Sequence, residues 1–457
     1  MRSLLWLRRD LRRGDHPALL AASGEAGSHE VAVAFVIDPA LWGPAGPVRR
    51  AWLAASVRAA REEYDGRLTV RVGDPREVVP ALVRETGAAS VHVTRETTPA
   101  GARRDRSVAR AVSTAGAAWV ETGTPYAVGP GVVRSGSGEP YRVFTPFARA
   151  WRTHGWPGPA PYPRRLLLAE LDSDPGAERL LDDALTVDDL PALPEAGERA
   201  ALERWRAFRE DGLTGYAAGR DRPDRDATSR ISADLKVGAL HPRTLLADLA
   251  DESAPGVERF VTELAWREFY ADVLHHHPRS AWSDLRAGLS ALAYDTPEDA
   301  VEAWRRGRTG YPFVDAGMRQ LEATGWMHNR LRMVTASFLT KDLHVWWPVG
   351  ARWFLQRLID GDVASNNHGW QWVAGTGTDA APYVRVFNPV TQGERFDPDG
   401  TYVRRWVPEL GHLPGGSVHR PWDHPKGYTH GYPRRIVDHA EERREALRRY
   451  HAARQLR

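Results

Sequence analysis

Strand-like apolar runs occur only in the first third of this chain, and this uneven distribution limits the fold more than any other feature. The runs typical of buried strands are residues 4–7, 31–37, 68–72 and 90–94. The stretches between them with helical apolar spacing are residues 17–22, 49–64 and 75–86. Strands that alternate with helices predict an α/β domain with a parallel sheet, because parallel strands need crossover connections.

The rest of the chain indicates helices only. Residues 130–194 are rich in Pro, Gly and acidic residues, as connecting segments are. Beyond residue 195, helical periodicity is found at residues 200–209, 257–275, 312–324, 328–341 and 352–359. A chain of 457 residues exceeds the size of one core. We therefore predict a Rossmann-like α/β domain at residues 1–129, a connector at residues 130–194 and an all-helical domain at residues 195–457.

The residue content excludes several kinds of chemistry. The chain has no Cys, which excludes disulfides, thiolate metal sites and cysteine nucleophiles. No apolar run approaches the roughly 20 residues that span a membrane, and the N-terminus lacks the apolar segment and cleavage site of a secretory signal. We therefore expect a cytoplasmic protein without a membrane partner. The 18 Trp residues exceed the usual needs of core packing and indicate aromatic sites.

A hydroxyl-rich segment, Thr228, Ser229, Arg230, Ile231 and Ser232, stands before a helix-like stretch. Hydroxyl groups and the first N–H groups of a helix together bind phosphate well. Ser and Thr at such positions serve more often as ordinary helix caps. From the residues alone both interpretations stay open.

Two predicted helices carry polar side chains on one face. In residues 257–275, helical spacing groups Glu263, Trp266, Arg267 and Tyr270. In residues 328–341, it groups Asn329, Arg332 and Met333. A polar face inside an apolar domain is costly unless a ligand satisfies it. An ion pair between Glu263 and Arg267, or a solvent-exposed face, explains the same patterns without a ligand.

The densest polar stretch lies at residues 358–372. It contains two carboxylates, two adjacent amides and two indoles, in the order Asp360, Asp362, Asn366, Asn367, Trp370 and Trp372. The two carboxylates suit a metal or an acid/base pair, but Asp-Gly-Asp also suits a helix end with a tight turn. Indoles beside amides favour an aromatic ligand over a hydrolytic site.

Together these segments resemble the DNA photolyase and cryptochrome family, most closely the class I photolyases for cyclobutane pyrimidine dimers. The family's motifs match in order at residues 5–12, 141–147, 307–320 and 325–338. The resemblance implies an N-terminal antenna-chromophore domain and a C-terminal helical FAD domain. It further implies a light-dependent carbon–carbon lyase, in which excited reduced FAD passes an electron to the dimer. The implied partner is UV-damaged DNA, single- or double-stranded, bound by a monomer.

The resemblance also implies roles for individual residues. FAD would be held by Tyr216, Thr228, Ser229, Arg230, Ile231, Ser232, Arg267, Asn329, Arg332, Asp360, Asp362 and Asn366. The flipped-out dimer would be contacted by Glu263, Trp266, Asn329, Met333 and Trp372. The DNA phosphates would be contacted by Arg220, Arg330 and Arg385. No metal is implied.

Two positions favour repair of cyclobutane dimers over related activities. Asn366 stands where plant-type cryptochromes typically carry Asp and animal ones Cys. His328 and Asn329, followed by Met333, differ from the His pair of photolyases for the (6-4) photoproduct. The C-terminal stretch, residues 434–457, is typical of a basic helix rather than a signalling extension. The alternatives are a cryptochrome-like blue-light photoreceptor and, for the N-terminal part alone, a non-photochemical nucleotide-binding protein.

The electron-transfer residues depart from the family pattern. Trp370 and Trp347 match the inner two of three Trp residues that relatives use to reduce their flavin, but the outermost position holds Tyr294. Tyrosine usually loses its phenolic proton when it gives up an electron. We expect the electron to leave from Tyr294, more slowly than from Trp, or from another indole, Trp346 or Trp353.

The antenna site departs as well. Residues 98–105 lack the Asn-Glu pair of folate-binding relatives, so folate is not expected. Phe35, Arg50, Gly101 and Asp105 resemble the deazaflavin- or flavin-binding relatives. They favour 8-hydroxydeazaflavin over FMN, and an empty pocket is a third interpretation.

Overall fold

The computed structural model describes residues 1–24, 27–286, 289, 291–378 and 385–455. The chain divides into two compact units. The first consists of Met1–Thr214 and Ser229–Pro278, and the second of Gly215–Thr228 and Arg279–Arg457. The two compact units are not divided at residues 129 and 194. The domain boundaries at these two residues therefore stay a prediction.

A parallel sheet forms the centre of the α/β part of the first unit. Its strands are β1 (Arg2–Leu7), β2 (Glu30–Ile37), β3 (Leu68–Val72), β4 (Ser90–Val93), β5 (Ala118–Glu121) and β6 (Leu167–Leu168). The strand order is β3-β2-β1-β4-β5, and β6 pairs with the first residues of β2. The predicted α/β class and the four predicted strands are confirmed.

Two strands were missing from the sequence prediction. Strand β5 has four residues, and its apolar residues Ala118, Trp119 and Val120 form a run too short to have been predicted as a buried strand; none of the four is buried. Strand β6 has two residues and comes from the region 130–194, which was predicted to be a connector. Both strands are recognised from their pairing with a neighbouring strand rather than from the pattern of apolar residues in their own sequences.

Helices make up most of the remaining chain. In chain order they are α1 (Pro17–Ser23), α2 (Pro39–Trp42), α3 (Pro47–Glu63), α4 (Pro75–Thr86), α5 (Pro99–Thr114), α6 (Phe144–His154), α7 (Pro175–Leu185), α8 (Glu198–Ala207), α9 (Tyr216–Gly219), α10 (Ser232–Val237), α11 (Pro242–Asp248), α12 (Pro255–His276), α13 (Glu298–Arg305), α14 (Pro312–Thr324), α15 (Asn329–Ser337), α16 (Trp347–Arg357), α17 (Val363–Ala374), α18 (Pro389–Phe396), α19 (Thr401–Trp406) and α20 (His439–Gln455). Among the described helices, none combines the length and apolar character needed to cross a membrane.

Local sequence signals explain where many of these helices begin and end. Helix α4 is typical: Asp74 accepts the N–H of Arg76 at 2.9 Å, Pro75 occupies the first turn, and Gly87 ends the helix with φ +66°. The side chain caps an unpaired N–H group, proline needs no donor at that position, and glycine adopts the left-handed conformation without strain.

Helices are the regular secondary structure found among the described residues of the second unit, in agreement with the predicted all-helical class. Its apolar core includes the completely buried Trp304 and Trp347 and the buried Trp370. Helix α15 is shorter than the predicted 328–341, because a π-helical turn, Phe338–Asp342, follows it. Helix α16 begins five residues before the predicted 352, with Pro348 in its first turn.

Two carboxylates of α12 fix the chain that leaves the sheet. Glu268 accepts the N–H groups of Ala127, Val128 at 3.2 Å and Gly129 at 3.1 Å. One turn further, Asp272 accepts the N–H of Gly131 at 2.7 Å. Burial raises the pKa of Glu268, and the N–H donors oppose that rise. The segment at residues 127–131 therefore obtains its hydrogen bonds from a helix rather than from a strand.

Several histidines of the first unit are buried in the neutral form. His241 lies 2.8 Å from Asp15, and His16 lies 3.5 Å from Asp10. Burial lowers the pKa of both histidines to about 4. Burial also lowers the pKa of His92 to about 4. Each ring would have to lose its water shell in order to carry a charge at neutral pH.

We expect the first unit to lose stability as the pH falls from 7 to 4. In the unfolded chain each of these histidines takes up a proton near pH 6.5, whereas in the folded protein it does so only near pH 4. The unfolded state therefore binds more protons in this range, and the free energy of unfolding falls by up to about 3 kcal/mol per histidine. Urea unfolding at several pH values measures the slope.

His92→Gln should reduce that slope by about one proton between pH 7 and pH 4. His154→Gln is the matched control, because His154 is exposed, and this variant should leave the slope unchanged. A free energy of unfolding that is unchanged from pH 7 to pH 5 in the parent protein would show that the buried rings do not control acid stability.

Candidate functional site

Helix α15 and the turn before α17 are joined by a buried ion pair. The guanidinium of Arg332 contacts the carboxylate of Asp360 through two hydrogen bonds of 3.1 and 2.8 Å. Its Nε donates to the backbone carbonyl of Met327 at 2.8 Å. The Asp360 side chain is only 4% exposed, so the pair is held in one geometry. The structure thus brings together two of the residues predicted to hold a flavin.

The first turn of α17 presents an amide oxygen. Asp362 caps this helix by accepting the N–H of Ser365 at 3.1 Å. Both hydrogens of the Asn366 amide are used, since Nδ2 donates to the Ala351 carbonyl at 3.1 Å and to Asn367 at 2.8 Å. The half-buried Asn366 Oδ1 is therefore the atom that can accept a hydrogen bond from a ligand.

The hydroxyl-rich segment is not used as a helix cap. Ile231 precedes α10, and no side chain caps that helix. The cap interpretation of residues 228–232 is therefore wrong for α10, and the phosphate interpretation stays a prediction. Thr228 belongs to the second unit, and Ser229 to Ser232 belong to the first. Arg230 takes the left-handed conformation, with φ +53°.

Tyr216 begins the short helix α9 of the second unit, and Arg220 follows the last residue of that helix. Tyr216 is buried, and the Arg220 guanidinium lies 5.8 Å from the centre of its ring. Arg220 shares the carboxylate of Asp221 with Arg330, at 3.9 and 2.8 Å. Two of the three arginines predicted to contact DNA are thus brought together around one acidic residue.

Asn329 and Met333 form the polar and apolar ends of one face on α15. The Asn329 amide Nδ2 lies 3.9 Å from the Met333 sulfur. Asn329 is exposed and Met333 is half-buried. Next to them, His328 caps the helix by accepting the N–H of Arg330 at 3.1 Å, and burial lowers its pKa to about 4. His328 is therefore a neutral capping residue, whereas Asn329 faces outward.

Two other predicted residues of the second unit contact each other. The guanidinium of Arg385 lies 5.1 Å from the centre of the Trp372 ring. Trp372 is half-buried and lies 6.5 Å from the ring of Phe387. An indole covered by a guanidinium combines an aromatic surface with a positive charge, which suits a nucleic acid base and its phosphate.

The predicted face of α12 lies in the first unit. Trp266 is stacked on Phe144, with ring centres 3.6 Å apart, and contacts Tyr270 at 5.3 Å. Arg267 donates to the carbonyls of Pro125 at 2.8 Å and Leu235 at 3.2 Å. Glu263 pairs with Arg259 at 3.3 Å. The stacking on Phe144 fixes the orientation of the Trp266 ring. A fixed ring suits an indole that forms one side of a binding pocket.

Trp370 is fixed by close packing between α16 and α17. Its ring lies 4.9 Å from Phe354 and 6.2 Å from Trp304. A Cβ atom at Gly350 would come within 2.2 Å of the Trp370 ring, so this helix crossing requires glycine. Gly350 was not among the predicted site residues, although a glycine inside a helix often marks close packing.

Trp347 is completely buried and donates its indole N–H to Asp284 at 2.7 Å. Burial raises the pKa of Asp284. Trp346 is 36% exposed, and its ring centre lies 6.5 Å from those of both Trp347 and Tyr294. The Trp346 ring is thus in contact both with the buried Trp347 and with Tyr294.

The residues predicted for the antenna site are largely engaged within the first unit. Asp105 is buried and paired with Arg8 at 2.9 Å and Arg104 at 2.8 Å. Arg50 donates to the carbonyl of Trp42 at 2.9 Å. Phe35 is 6% exposed on β2, and a Cβ atom at Gly101 would come within 2.3 Å of Glu96. Arg8 and Glu96 were missed, because their roles depend on contacts between distant segments.

Comparison with known proteins gives matches along the whole chain. The family model described as DNA photolyase matches residues 3–164, and the one described as the FAD binding domain of DNA photolyase matches residues 260–452. A deoxyribodipyrimidine photo-lyase of Halobacterium salinarum is 39% identical over 99% of each chain.

Two solved structures are also similar. A class III photolyase from Agrobacterium tumefaciens has a TM-score of 0.89 and 36% identity, over 99% of this chain and 98% of that one. An archaeal photolyase from Sulfolobus tokodaii, described with two FAD molecules, has a TM-score of 0.84 and 28% identity, over 99% of this chain and 100% of that one.

Proposed function

The chain belongs to the DNA photolyase family and carries its FAD-binding domain, and from this premise we propose how its residues perform light-driven repair of cyclobutane pyrimidine dimers. The activity is that of a deoxyribodipyrimidine photo-lyase. The assignment of residues rests mainly on the group of polar and aromatic side chains on α15, on α17 and in the turn before α17. There a buried Arg332–Asp360 pair, the Asn366 amide oxygen and the buried Trp370 belong to one helical unit.

The described side chains suit a flavin. We assign to FAD the residues Tyr216, Thr228, Ser229, Arg230, Ile231, Ser232, Arg267, Asn329, Arg332, Asp360, Asp362 and Asn366. Bound FAD supplies light absorption and one-electron chemistry. Asn366 Oδ1 is an acceptor, as a protonated ring nitrogen needs. The hydroxyls of residues 228–232 stand at the start of α10, and hydroxyls together with helix N–H groups bind phosphate well. Arg332 and Asp360 fix the backbone around the site.

We assign to the flipped-out dimer the residues Glu263, Trp266, Asn329, Met333 and Trp372. Asn329 offers hydrogen bonds to the pyrimidine edge, and Met333 and the two indoles offer apolar contact. Flipping costs a few kcal/mol of unstacking, and less at a lesion that is already poorly stacked. Selection for damaged DNA therefore does not require reading its sequence.

Arg220, Arg330 and Arg385 are assigned to the DNA phosphates. Arg330 and Arg220 share Asp221, so a phosphate has to compete with one carboxylate for both cations. Because arginines release counterions from DNA, binding should weaken as salt rises. We further propose that the protein acts in the cytoplasm as a monomer, on single- or double-stranded DNA.

A second, light-harvesting chromophore is proposed for the first unit, at Phe35, Arg50, Gly101 and Asp105. A structural relative described with two FAD molecules supports a second chromophore in such proteins. We favour 8-hydroxydeazaflavin over FMN, and we do not expect folate. The absorption spectrum of the purified protein distinguishes these, since a deazaflavin adds a strong violet-blue band to that of FAD.

Repair of a thymine dimer in UV-irradiated oligonucleotide should require light. Blue light should remove dimers from the DNA, and the dark sample should keep them. Asn329→Ala should lower repair efficiency about tenfold, because losing a hydrogen bond to a buried polar group costs about 1–3 kcal/mol. Gln356→Ala, which removes an exposed amide on α16, is the matched control and should repair normally.

Protein that carries reduced FAD but leaves dimers intact under light would contradict the repair function. The cryptochrome-like photoreceptor would then be the function to pursue. Normal repair by Asn329→Ala would contradict only the proposed role of this residue.

A further inference from the structure

We infer that Trp346 is the surface electron donor through which this protein reduces its flavin in light, in place of Tyr294. The inference rests on the proposed function, because it requires bound FAD. It concerns reduction of the cofactor and not the repair step. The other members of the route are Trp370 and Trp347.

Geometry places Trp346 next on the route. Its ring centre lies 6.5 Å from that of the completely buried Trp347. Tyr294 also lies 6.5 Å from Trp346, so the Trp346 ring is in contact with both. Trp346 is 36% exposed, whereas Trp347 is inaccessible to solvent. The route therefore reaches water at Trp346.

Proton transfer distinguishes the two rings further. A phenol that loses an electron must also lose its proton, and a buried charge without a partner is costly. The Tyr294 hydroxyl is buried and has no hydrogen-bond partner among the described residues. Burial also raises the pKa of Tyr294. An exposed indole can release its N–H proton to water, so Trp346 is the easier end point.

The other indoles near the route are less suitable. Trp353 lies 5.1 Å from the guanidinium of Arg305 and 4.4 Å from that of Arg357, and two cations oppose a positive charge on its ring. Trp304 is completely buried, and its indole N–H donates to the carbonyl of Thr335, which cannot take up the proton. Trp346 combines exposure with contact to the route.

The electron and proton balance is simple. Trp370 would give one electron to the light-excited flavin, and Trp347 and then Trp346 would replace that electron in turn. Trp346 is left oxidised by one electron, and its indole proton passes to water. A water-soluble thiol or ascorbate then returns one electron and one proton to Trp346. The net result is one electron moved from the external reductant to the flavin.

The test uses full-length protein loaded with oxidised FAD and a blue-light flash, with transient absorption and electron paramagnetic resonance as readouts. The wild-type protein should give a deprotonated tryptophanyl radical that added ascorbate removes. Trp346→Phe should lower the long-lived radical yield about tenfold or more, as expected when the last step loses at least about 1.4 kcal/mol of driving force. Tyr294→Phe and Trp353→Phe should leave it unchanged.

A tyrosyl radical in the wild-type protein that disappears in Tyr294→Phe, or an unchanged radical in Trp346→Phe, would overturn the inference. So would the absence of any tryptophanyl radical in protein whose FAD content is normal. The FAD content of each variant is measured first, so that loss of the cofactor is not mistaken for a broken route. Repair by chemically reduced protein tests the proposed function separately, because that reaction does not need Trp346.

Discussion

Asp360→Ala is expected to yield protein without FAD and to lower the free energy of unfolding by about 3 kcal/mol. Removing this carboxylate leaves the Arg332 guanidinium, only 25% exposed, without its two-bond partner. A buried charge that loses its counterion is much less stable than the intact pair. The turn between α16 and α17 also loses its link to α15. Urea unfolding and the ratio of flavin to protein absorbance after gel filtration measure both effects.

Glu322→Ala is the matched control for that experiment. Glu322 pairs with Arg357 at 2.9 Å in the same unit, but its side chain is 55% exposed. Exposed pairs contribute at most about 1 kcal/mol, so this variant should keep its FAD and nearly all of its stability. If Asp360→Ala behaved like Glu322→Ala, the ion pair would have no role in forming the flavin site.

Trp347→Phe should lower the yield of flavin reduction in light by about tenfold or more, a loss that corresponds to at least about 1.4 kcal/mol. The Trp347 ring is in contact with the ring of Trp346, which is exposed at the surface. Phenylalanine fills most of the same space but does not give up an electron at a comparable potential. Accumulation of reduced flavin under continuous blue light with added thiol measures the yield.

Repair by Trp347→Phe should be normal when its flavin is first reduced chemically, because the relay is not part of dimer opening. The variant also leaves Asp284 without the indole donor, so its thermal midpoint is compared with that of the wild-type protein. Trp353→Phe removes an indole outside the route and serves as the control. A normal light-driven yield in Trp347→Phe would exclude this residue from the relay.

The sequence predicted those features that depend on local pattern. Strands β1 and β2 contain continuous apolar runs, and β3 and β4 carry apolar residues at alternate positions. Strand β5 has no buried residue and is recognised from its pairing with β4. Helical spacing placed Asn329 and Met333 on one face, and their contact of 3.9 Å agrees with that prediction. The helical class of the second unit followed from the same periodicity.

The partners of the site residues could not be predicted in the same way. Asp284, which accepts the Trp347 N–H, is 63 positions away in the chain, and nothing in its local sequence distinguishes it. Asp221 joins Arg220 to an arginine of another helix. The exposure of Trp346 and the burial of the Tyr294 hydroxyl arise from packing of segments distant in sequence. Such contacts belong to the tertiary structure.

The two carboxylates of α12 bear on how this protein can be divided into fragments. A polypeptide that stopped at residue 129 would contain β1 to β5 but neither β6 nor Glu268, which accepts the N–H groups of residues 127–129. The complementary polypeptide would contain Glu268 without those three donors, whereas Asp272 would keep the N–H of Gly131. A fragment that contains the sheet therefore has to include α12, and its boundary cannot be placed at residue 129.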